Sequence, residues 1–229
     1  MLLTQPLGQL ATRIAGATAV FHQFKLDFCC GGQQSLGEAI AKRGLNQQEV
    51  LQALENLQHQ KDPAINWHAE PAPKLIDYIL VNFHQKHRQQ LPELIRLAKR
   101  VETVHGDSPD CPHGLAAHLH DMQQELESHM LKEEQILFPM LRQGIYPYGP
   151  ISVMLEEHQE HGDALKKLDE LSFEQQLPLG ACNTWTALYL GLKELKEDLM
   201  QHILLENEIL FVEPTKPGHG EQHCCGSCQ

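Results

Sequence analysis

No stretch of this 229-residue chain approaches the ~18 uninterrupted apolar residues that a membrane span needs, which excludes a helical transmembrane protein. Basic residues are scarce: 18 Lys and Arg face 30 Asp and Glu, a net charge of −12, and no run of them could neutralise several phosphates. No nucleic acid and no membrane is expected as a partner. Aromatic residues make up only 6% of the chain, and apolar and polar residues nowhere alternate between hairpin turns, so a β-rich core is excluded. The opening Met1 to Pro6 lacks a charged segment leading into an apolar run, and a cytoplasmic protein is expected. Cysteine is odd in number at seven, with Cys29 and Cys30 adjacent, Cys224 and Cys225 adjacent, and Cys111, Cys182 and Cys228 apart. Such a pattern does not read as a secreted disulfide framework; reduced, reactive or metal-binding thiols are expected instead.

What the chain has in excess is histidine, 15 residues, and imidazole is the commonest metal ligand. Where each one sits depends on the fold. Apolar residues recur at three- and four-residue steps, so the fold class is all-α. The first helix is expected over 6–26, with Leu7, Leu10, Ile14, Ala17, Phe21 and Phe24 on one face. Ser35 and Glu38 have capping-box spacing, Gly44 can close the short helix they open, and Asn46 with Glu49 opens another bearing Val50, Leu51, Leu54 and Leu57. These form a small N-terminal helical domain, 1–60. Residues 61–73 hold Pro63, Pro71 and Pro73 without a periodic face and read as a linker. Four longer segments follow, 74–104, 114–143, 151–172 and 181–211, which predict an antiparallel four-helix bundle over 74–212. Residues 213–229, rich in Gly, His and Cys, read as a flexible tail, with Cys224, Cys225 and Cys228 suited to a soft or borderline metal or to no role at all.

Two of the bundle segments carry polar residues on an otherwise apolar seam. Leu115, Leu119, Met122, Leu126, His129, Glu133, Ile136 and Met140 step alternately by four and three, and so do Trp185, Leu188, Leu192, Leu195, Leu199, His202, Glu206 and Ile209. In each, His precedes Glu by one helical turn, so both side chains can reach one metal centre. An unpaired carboxylate in a bundle core costs several kcal/mol unless it is protonated, paired or bound to a metal, and no Lys or Arg shares these stripes. The first and third segments add Ile76, Leu80, His84, His87, Leu91, Leu94 and Ile151, Met154, His158, His161, Leu165, Leu168. One buried His is more often a hydrogen-bonded core residue, but two such pairs in register with inward His on both other helices outweigh that reading. Four His and two Glu make an N/O-rich set suited to two iron or manganese ions bridged by carboxylates, whereas zinc is usually satisfied by four ligands. Periodicity does not choose between His84 and His87 or between His158 and His161. His59, His68, His105, His113, His118 and His120 fall off these stripes and are expected to be solvated.

The vicinal Cys29 and Cys30, followed by two glycines in a turn between helices, read either as a redox or metal-handling pair or as one packed thiol with an incidental neighbour. Cys111 and Cys182 are most simply structural.

Several local motifs coincide with one family. Gln5-Pro6-Leu7-Gly8, Phe28-Cys29-Cys30-Gly31-Gly32, His84-x-x-His87-Arg88-x-Gln90-Leu91-Pro92, His129-Met130-x-Lys132-Glu133-Glu134-Gln135-Ile136-Leu137-Phe138-Pro139, Gly149 to Met154 leading into His158, and His202 to Leu205 followed by Glu206-Asn207 together resemble the Repair of Iron Centers family, the YtfE/ScdA-like di-iron proteins, over about 5 to 212. The resemblance implies a small ScdA-like N-terminal domain carrying the Cys pair and a hemerythrin-like bundle holding two non-haem iron ions in an oxo- and carboxylate-bridged centre. Carried over, the ligands are His84, His129, Glu133, His158, His202 and Glu206, with the glutamates bridging. Where an oxygen-carrying hemerythrin has a further His, this chain has Gly162. The implied role is repair of iron-sulfur clusters damaged by nitrosative or oxidative stress, with iron supplied from the centre and Cys29 and Cys30 accepting it or engaging the client. Nitric oxide binding or reduction to nitrous oxide at the same centre, and a sensor or carrier of oxygen, nitric oxide or iron, are the rival activities. The implied partners are damaged iron-sulfur proteins, with nitric oxide or oxygen as small ligands and a homodimer allowed for. The tail departs from the family pattern.

Overall fold

Ser35 starts the best-defined short helix: its hydroxyl accepts from the Glu38 backbone while the Glu38 carboxylate accepts from the Ser35 N–H, and Gly44 ends the helix in the left-handed region at φ 63°. The computed structural model describes residues 2–14, 16–28, 31–58 and 65–213, the side chains of residues 22 and 58 aside. The Cys29–Cys30 pair, residues 61–64 of the expected linker and the tail from 214 onward lie outside the described residues.

The N-terminal unit comprises α1 (Leu7–Arg13), α2 (Ala17–Gln23), α3 (Leu36–Arg43) and α4 (Gln47–Gln58). The single helix expected over 6–26 is in fact two. Ile14 turns extended at φ −106°, ψ 109°, and Gly16 sits at φ 81°, a conformation that breaks any α-helix and that glycine adopts without a Cβ penalty. Leu7, Leu10, Ala17, Phe21, Leu36, Ile40, Val50 and Leu54 are nevertheless all buried together, as their spacing requires.

The bundle is built from α5 (Ala72–Ile79) running through a π-helical turn at Leu80–His84 into α6 (Gln85–His105), α7 (Leu115–Lys132) running through a second π turn at Glu133–Leu137 into α8 (Phe138–Arg142), α9 (Tyr148–Leu171), and α10 (Asn183–Leu205) ending in a third π turn at Glu206–Leu210. The first helix begins at Ala72, inside the stretch expected to be linker, and Trp67 in a 3-10 turn before it packs against Tyr78 with ring centroids 4.6 Å apart and the planes tilted by 48°. α6 packs on α7 and α10, and α9 on α7 and α10, closing a four-membered ring of helices. Among the described residues no β-strand forms, and no helix is long and apolar enough to cross a membrane.

Two apolar layers bracket the middle of the bundle. The larger includes Leu91, Leu94, Leu119, Met122, Leu126, Leu165, Leu188, Leu192, Leu195 and Leu199, and it is continuous with the core of the N-terminal unit. The smaller includes Ile76, Ile79, Phe83, Leu137, Phe138, Ile151, Met154, Leu205, Leu210 and Phe211. Between them lies a buried polar layer.

α9 keeps the expected register throughout: Ile151, Met154, His158, His161, Leu165 and Leu168 are all buried. The three π-interrupted helices do not. Ile136, expected on the seam, is 53% exposed, and Leu137 takes its place; Leu210 replaces Ile209 as the buried residue; and before the first π turn Ile79, not Leu80, is fully buried. One extra residue per π turn shifts the stripe by one position.

Candidate metal centre

Six side chains fill the polar layer, and all six are buried to within 1% of full burial: His84, His129, Glu133, His158, His202 and Glu206. Each comes from a bundle helix at the level where the apolar seams pause. Their donor atoms form two groups, His84, His202, Glu133 and Glu206 in one and His129, His158, Glu133 and Glu206 in the other, with ligand atoms within 4.8 Å of one another in each. The two glutamates belong to both. Glu133 turns Oε2 to His84 Nε2 at 3.3 Å and Oε1 to His129 Nε2 at 3.4 Å. Glu206 turns Oε1 to His202 Nε2 and Oε2 to His158 Nε2, both at 3.2 Å. Each carboxylate thus spans the two groups, one oxygen to each.

A ring of outer contacts fixes the imidazoles. His84 Nδ1–H donates to Glu134 Oε1 at 2.7 Å, His129 Nδ1–H to Glu157 Oε2 at 2.8 Å, and His158 Nδ1–H to Asn207 Oδ1 at 2.7 Å. Because these partners only accept there, the neutral ring in each case carries its proton on Nδ1 and aims the Nε2 lone pair at the centre. Cations stand one step further out: Arg88 Nη1 bonds Glu134 at 2.8 Å, and Lys132 pairs with Glu157. His202 is held differently, its ring stacked on Phe83 at 5.3 Å with the planes 2° apart.

The electrostatics of the layer are those of two buried carboxylates offset by the imidazoles around them. Burial and the neighbouring Glu206 push Glu133 up, but His129 and His84 outweigh them and its carboxyl lies below the ordinary value. Glu206 likewise ends below it, burial being opposed first by His158 and then by the charges of His129 and His84. Burial would lower His129, yet Glu133 and Glu206 hold it up to about 9; His84 is raised in the same way. His202, buried and facing His84 and His87, is driven well below its usual range.

The donor set fits a pair of metal ions. Both oxygens of Glu133, Oε2 of Glu206 and Nε2 of His84 are fully buried without a directed hydrogen bond. Orphaned polar atoms of this kind ordinarily cost ~1–3 kcal/mol each and call for a missing partner. A first-row ion with bonds of roughly 2.1 Å sets adjacent ligand atoms about 3.0–3.4 Å apart, the spacing found here. Two ions sharing two carboxylates would satisfy every one of these atoms at once.

His87 and His161 are also buried but lie outside both groups, each with Nε2 unpartnered. Burial lowers His87 to about 4 and His161 to about 3, so both rings are neutral. The sequence reading missed Glu134, Glu157 and Asn207 as outer partners; their only signal was adjacency to Glu133, His158 and Glu206. It also misplaced His118, which is 7% exposed and tied through Nε2 to the Ala164 carbonyl at 2.9 Å, joining α7 to α9. His105 is engaged as well, its Nε2 3.1 Å from Cys182 Sγ at the α10 N-terminus. Cys111 is buried, as expected of a structural thiol.

Comparison with known proteins agrees with this geometry. Residues 75–213 match the hemerythrin HHE cation binding domain, and residues 3–58 match a domain of unknown function, DUF542. The chain is 50% identical over 209 residues to the iron-sulfur cluster repair protein YtfE of Pectobacterium atrosepticum, covering 90% of this chain and 95% of that one. It is 49% identical to the protein of the same name from Pectobacterium carotovorum, with the same coverage, and 46% identical to that of Citrobacter koseri, covering 90% of this chain and 94% of the relative.

Proposed function

This chain belongs to the YtfE family of iron-sulfur cluster repair proteins, with a hemerythrin HHE cation-binding bundle, and from that membership we propose that it repairs iron-sulfur clusters damaged by nitrosative or oxidative stress with iron drawn from its own bundle. The observation that carries the reading is the sharing of Glu133 and Glu206 between two His pairs. Two non-haem irons would be held by His84 and His202 on one side and by His129 and His158 on the other, with the glutamates bridging. When bound, the pair supplies labile ferrous iron and a site for a small ligand such as nitric oxide or oxygen.

The chain's own residues set how firmly that iron is kept. Imidazole and carboxylate hold iron less tightly than a thiolate cage, which suits a donor. Glu134, Glu157 and Asn207 keep the Nε2 lone pairs aimed inward, and the apolar layers on both sides exclude water. The N-terminal unit rests on the same region: α1 contacts α10 and the Glu206–Leu210 turn, and Gln33 Nε2 donates to Glu208 Oε1 at 3.3 Å. Gly8 N–H donates to the Gly32 carbonyl at 2.9 Å, so the described residues flanking Cys29 and Cys30 pack against α1. On this reading the pair receives iron or engages the client, in the reduced thiol state of the cytoplasm.

Iron analysis of the anaerobically purified chain is expected to give close to two irons per chain. The loaded protein should restore activity to a nitric-oxide-damaged dehydratase carrying an iron-sulfur cluster, and Glu133→Leu with Glu206→Leu should abolish both iron content and repair. Full repair by that double variant overturns the donor reading; zinc, or no metal, in the purified protein overturns the centre itself.

A further inference from the structure

Among the described residues, His87 is a buried imidazole beside the ligand layer that also borders an opening to the surface. A cleft of about 570 Å³ between α6 and α7 is lined by His87, Arg88, His120, Gln123, Glu127 and Met130. On its inner side the His87 ring lies 5.5 Å from that of His202, centroid to centroid, and stacks on Phe83 at 6.3 Å. The residue is completely buried and stands between the layer and the cleft.

Its tautomer is set from behind. Lys86 pairs with Asp198 at 2.7 Å, Asp198 accepts from the Gln90 amide at 2.8 Å, and that amide therefore turns its oxygen to His87, whose Nδ1–H donates to Gln90 Oε1 at 3.4 Å. The neutral ring then has its lone pair on Nε2, and Nε2 is buried without a partner. His84 is arranged in the same way, with its proton tied outward on Nδ1 and Nε2 without a hydrogen-bond partner, and His129 and His158 likewise hold the Nδ1 proton outward. His87 is thus built as a ligand yet stands outside both ligand groups. A purely structural histidine at 0% exposure would be expected to use both nitrogens, since a buried orphan nitrogen is destabilising.

A second depression near the layer, lined by Gln85, Arg88, Glu134 and Phe138, adjoins Glu134, which holds the outer nitrogen of His84, and a third includes Asn207, which holds that of His158. His161, the second buried imidazole beside the layer, has its ring edge-on to His129 at 4.9 Å and lines none of these.

We propose that His87 is a relay ligand, the residue that takes an iron ion from the His84–His202 side of the layer and passes it into the α6–α7 cleft. The inference rests on the two-iron reading above and adds the route. Transfer is a ligand exchange without change of oxidation state: a bond from the ion to His87 Nε2 forms as one to His84 or His202 breaks. Further along the cleft lie Glu127, whose carboxylate pairs with Arg88, and His120, whose Nε2 faces the Gln124 amide, so either would have to exchange that partner for the ion.

The test is release of ferrous iron from the loaded full-length chain into excess ferrous chelator, followed anaerobically by the colour of the chelate, with iron per chain measured beforehand. His87→Leu is expected to leave iron per chain unchanged and to slow release about ten-fold, the loss of one directed contact to a charged group. Added imidazole should restore the rate in His87→Ala, which a merely structural role would not allow. His161→Leu should leave release unchanged. Unaltered release in His87→Leu overturns the relay, as does equal slowing in His161→Leu; a fall in iron per chain shows His87 to be a resting ligand and also overturns it. An unmodified chain without iron overturns the two-iron reading itself, and this inference with it.

Discussion

Removing the two shared carboxylates should make the metal-free protein more stable. Glu133 and Glu206 are 0% exposed, face each other across the same layer, and in the absence of metal are stabilised only by neighbouring imidazoles. Leucine has a similar volume and would extend the apolar layers above and below. Replacing a buried ionic cluster by apolar side chains of matched size is commonly stabilising by ~1–4 kcal/mol. Against this, His84 and His129 lose the charges that raise them and become neutral, which forfeits part of the gain. A net gain of about 2 kcal/mol corresponds to a Tm increase of about 4–8 °C for a chain of this size. The measurement is thermal unfolding of Glu133→Leu with Glu206→Leu beside the unmodified chain, anaerobically at pH 7.5, with chelator and then with ferrous iron. In chelator the variant should melt higher. With iron at about a hundred times its Kd the unmodified chain should gain about 2.7 kcal/mol by linkage and overtake it, while the variant does not respond. A variant that melts below the unmodified chain in chelator would refute the reasoning, because the carboxylates would then be part of what holds the fold together.

Glu157→Ala removes the partner of His129 Nδ1 and should weaken iron binding about 10–100-fold in competition with a chelator of known affinity; unchanged affinity would show that the outer contact does not orient the ring. The Cys182 thiol is lowered to about 7, chiefly by the Trp185 backbone N–H and then by His105, so limiting iodoacetamide with peptide mapping should label it with a half-maximal rate near pH 7 while buried Cys111 stays unreactive. Since its pKa is depressed on folding, the stability it contributes is present above the ordinary thiol value and lost as pH falls through about 7; His105→Gln should move the labelling curve upward, and a curve centred near 9 in the unmodified chain would contradict the geometry. In Gly32→Ala the new Cβ would lie 2.5 Å from the Phe28 carbonyl oxygen, where backbone must shift, and roughly 1–3 kcal/mol of destabilisation should appear in chemical denaturation; an unchanged midpoint would show that the loop yields freely.

How much of this was legible from residues alone varies helix by helix. α9 was read completely because it is one uninterrupted α-helix, and a period of 3.6 residues is all that its seam requires. The His-Glu pairs of α7 and α10 were legible for the same reason, since each glutamate is the first residue of its π turn and the register shifts only beyond it. What followed them was not, because a π turn leaves no mark in a pattern of apolar residues: Ile136 and Leu137, or Ile209 and Leu210, are equally apolar, and only the backbone decides which faces inward. The break in the first helix had a signal in Gly16, which was passed over because Ile14 and Ala17 continue the apolar face on either side. His118 was missed because it sits beside Leu119 and off the main seam, where α9 rather than solvent covers it.

The three π turns also explain how this layer can be polar without leaking. A His and a Glu one turn apart differ by about 40° around an α-helix, so the stripe that carries them continues straight to the residue seven positions after the His. On α7 that residue is Ile136 and on α10 it is Ile209. Adding one residue rotates everything beyond by about 100°, and Leu137 with Phe138, or Leu210 with Phe211, comes under the carboxylate instead. These four side chains belong to the smaller apolar layer that caps the centre. The same rotation on the last turn places Glu208 against α1, where a Cβ on Gly8 would meet its carboxylate at 2.4 Å. One local change of pitch thus seals the centre from below and brings the N-terminal unit onto the turn that carries Glu206. The N-terminal unit therefore rests on a backbone segment only two residues from Glu206, so the carboxylate shared by the two ligand groups and the packing of that unit depend on the same turn.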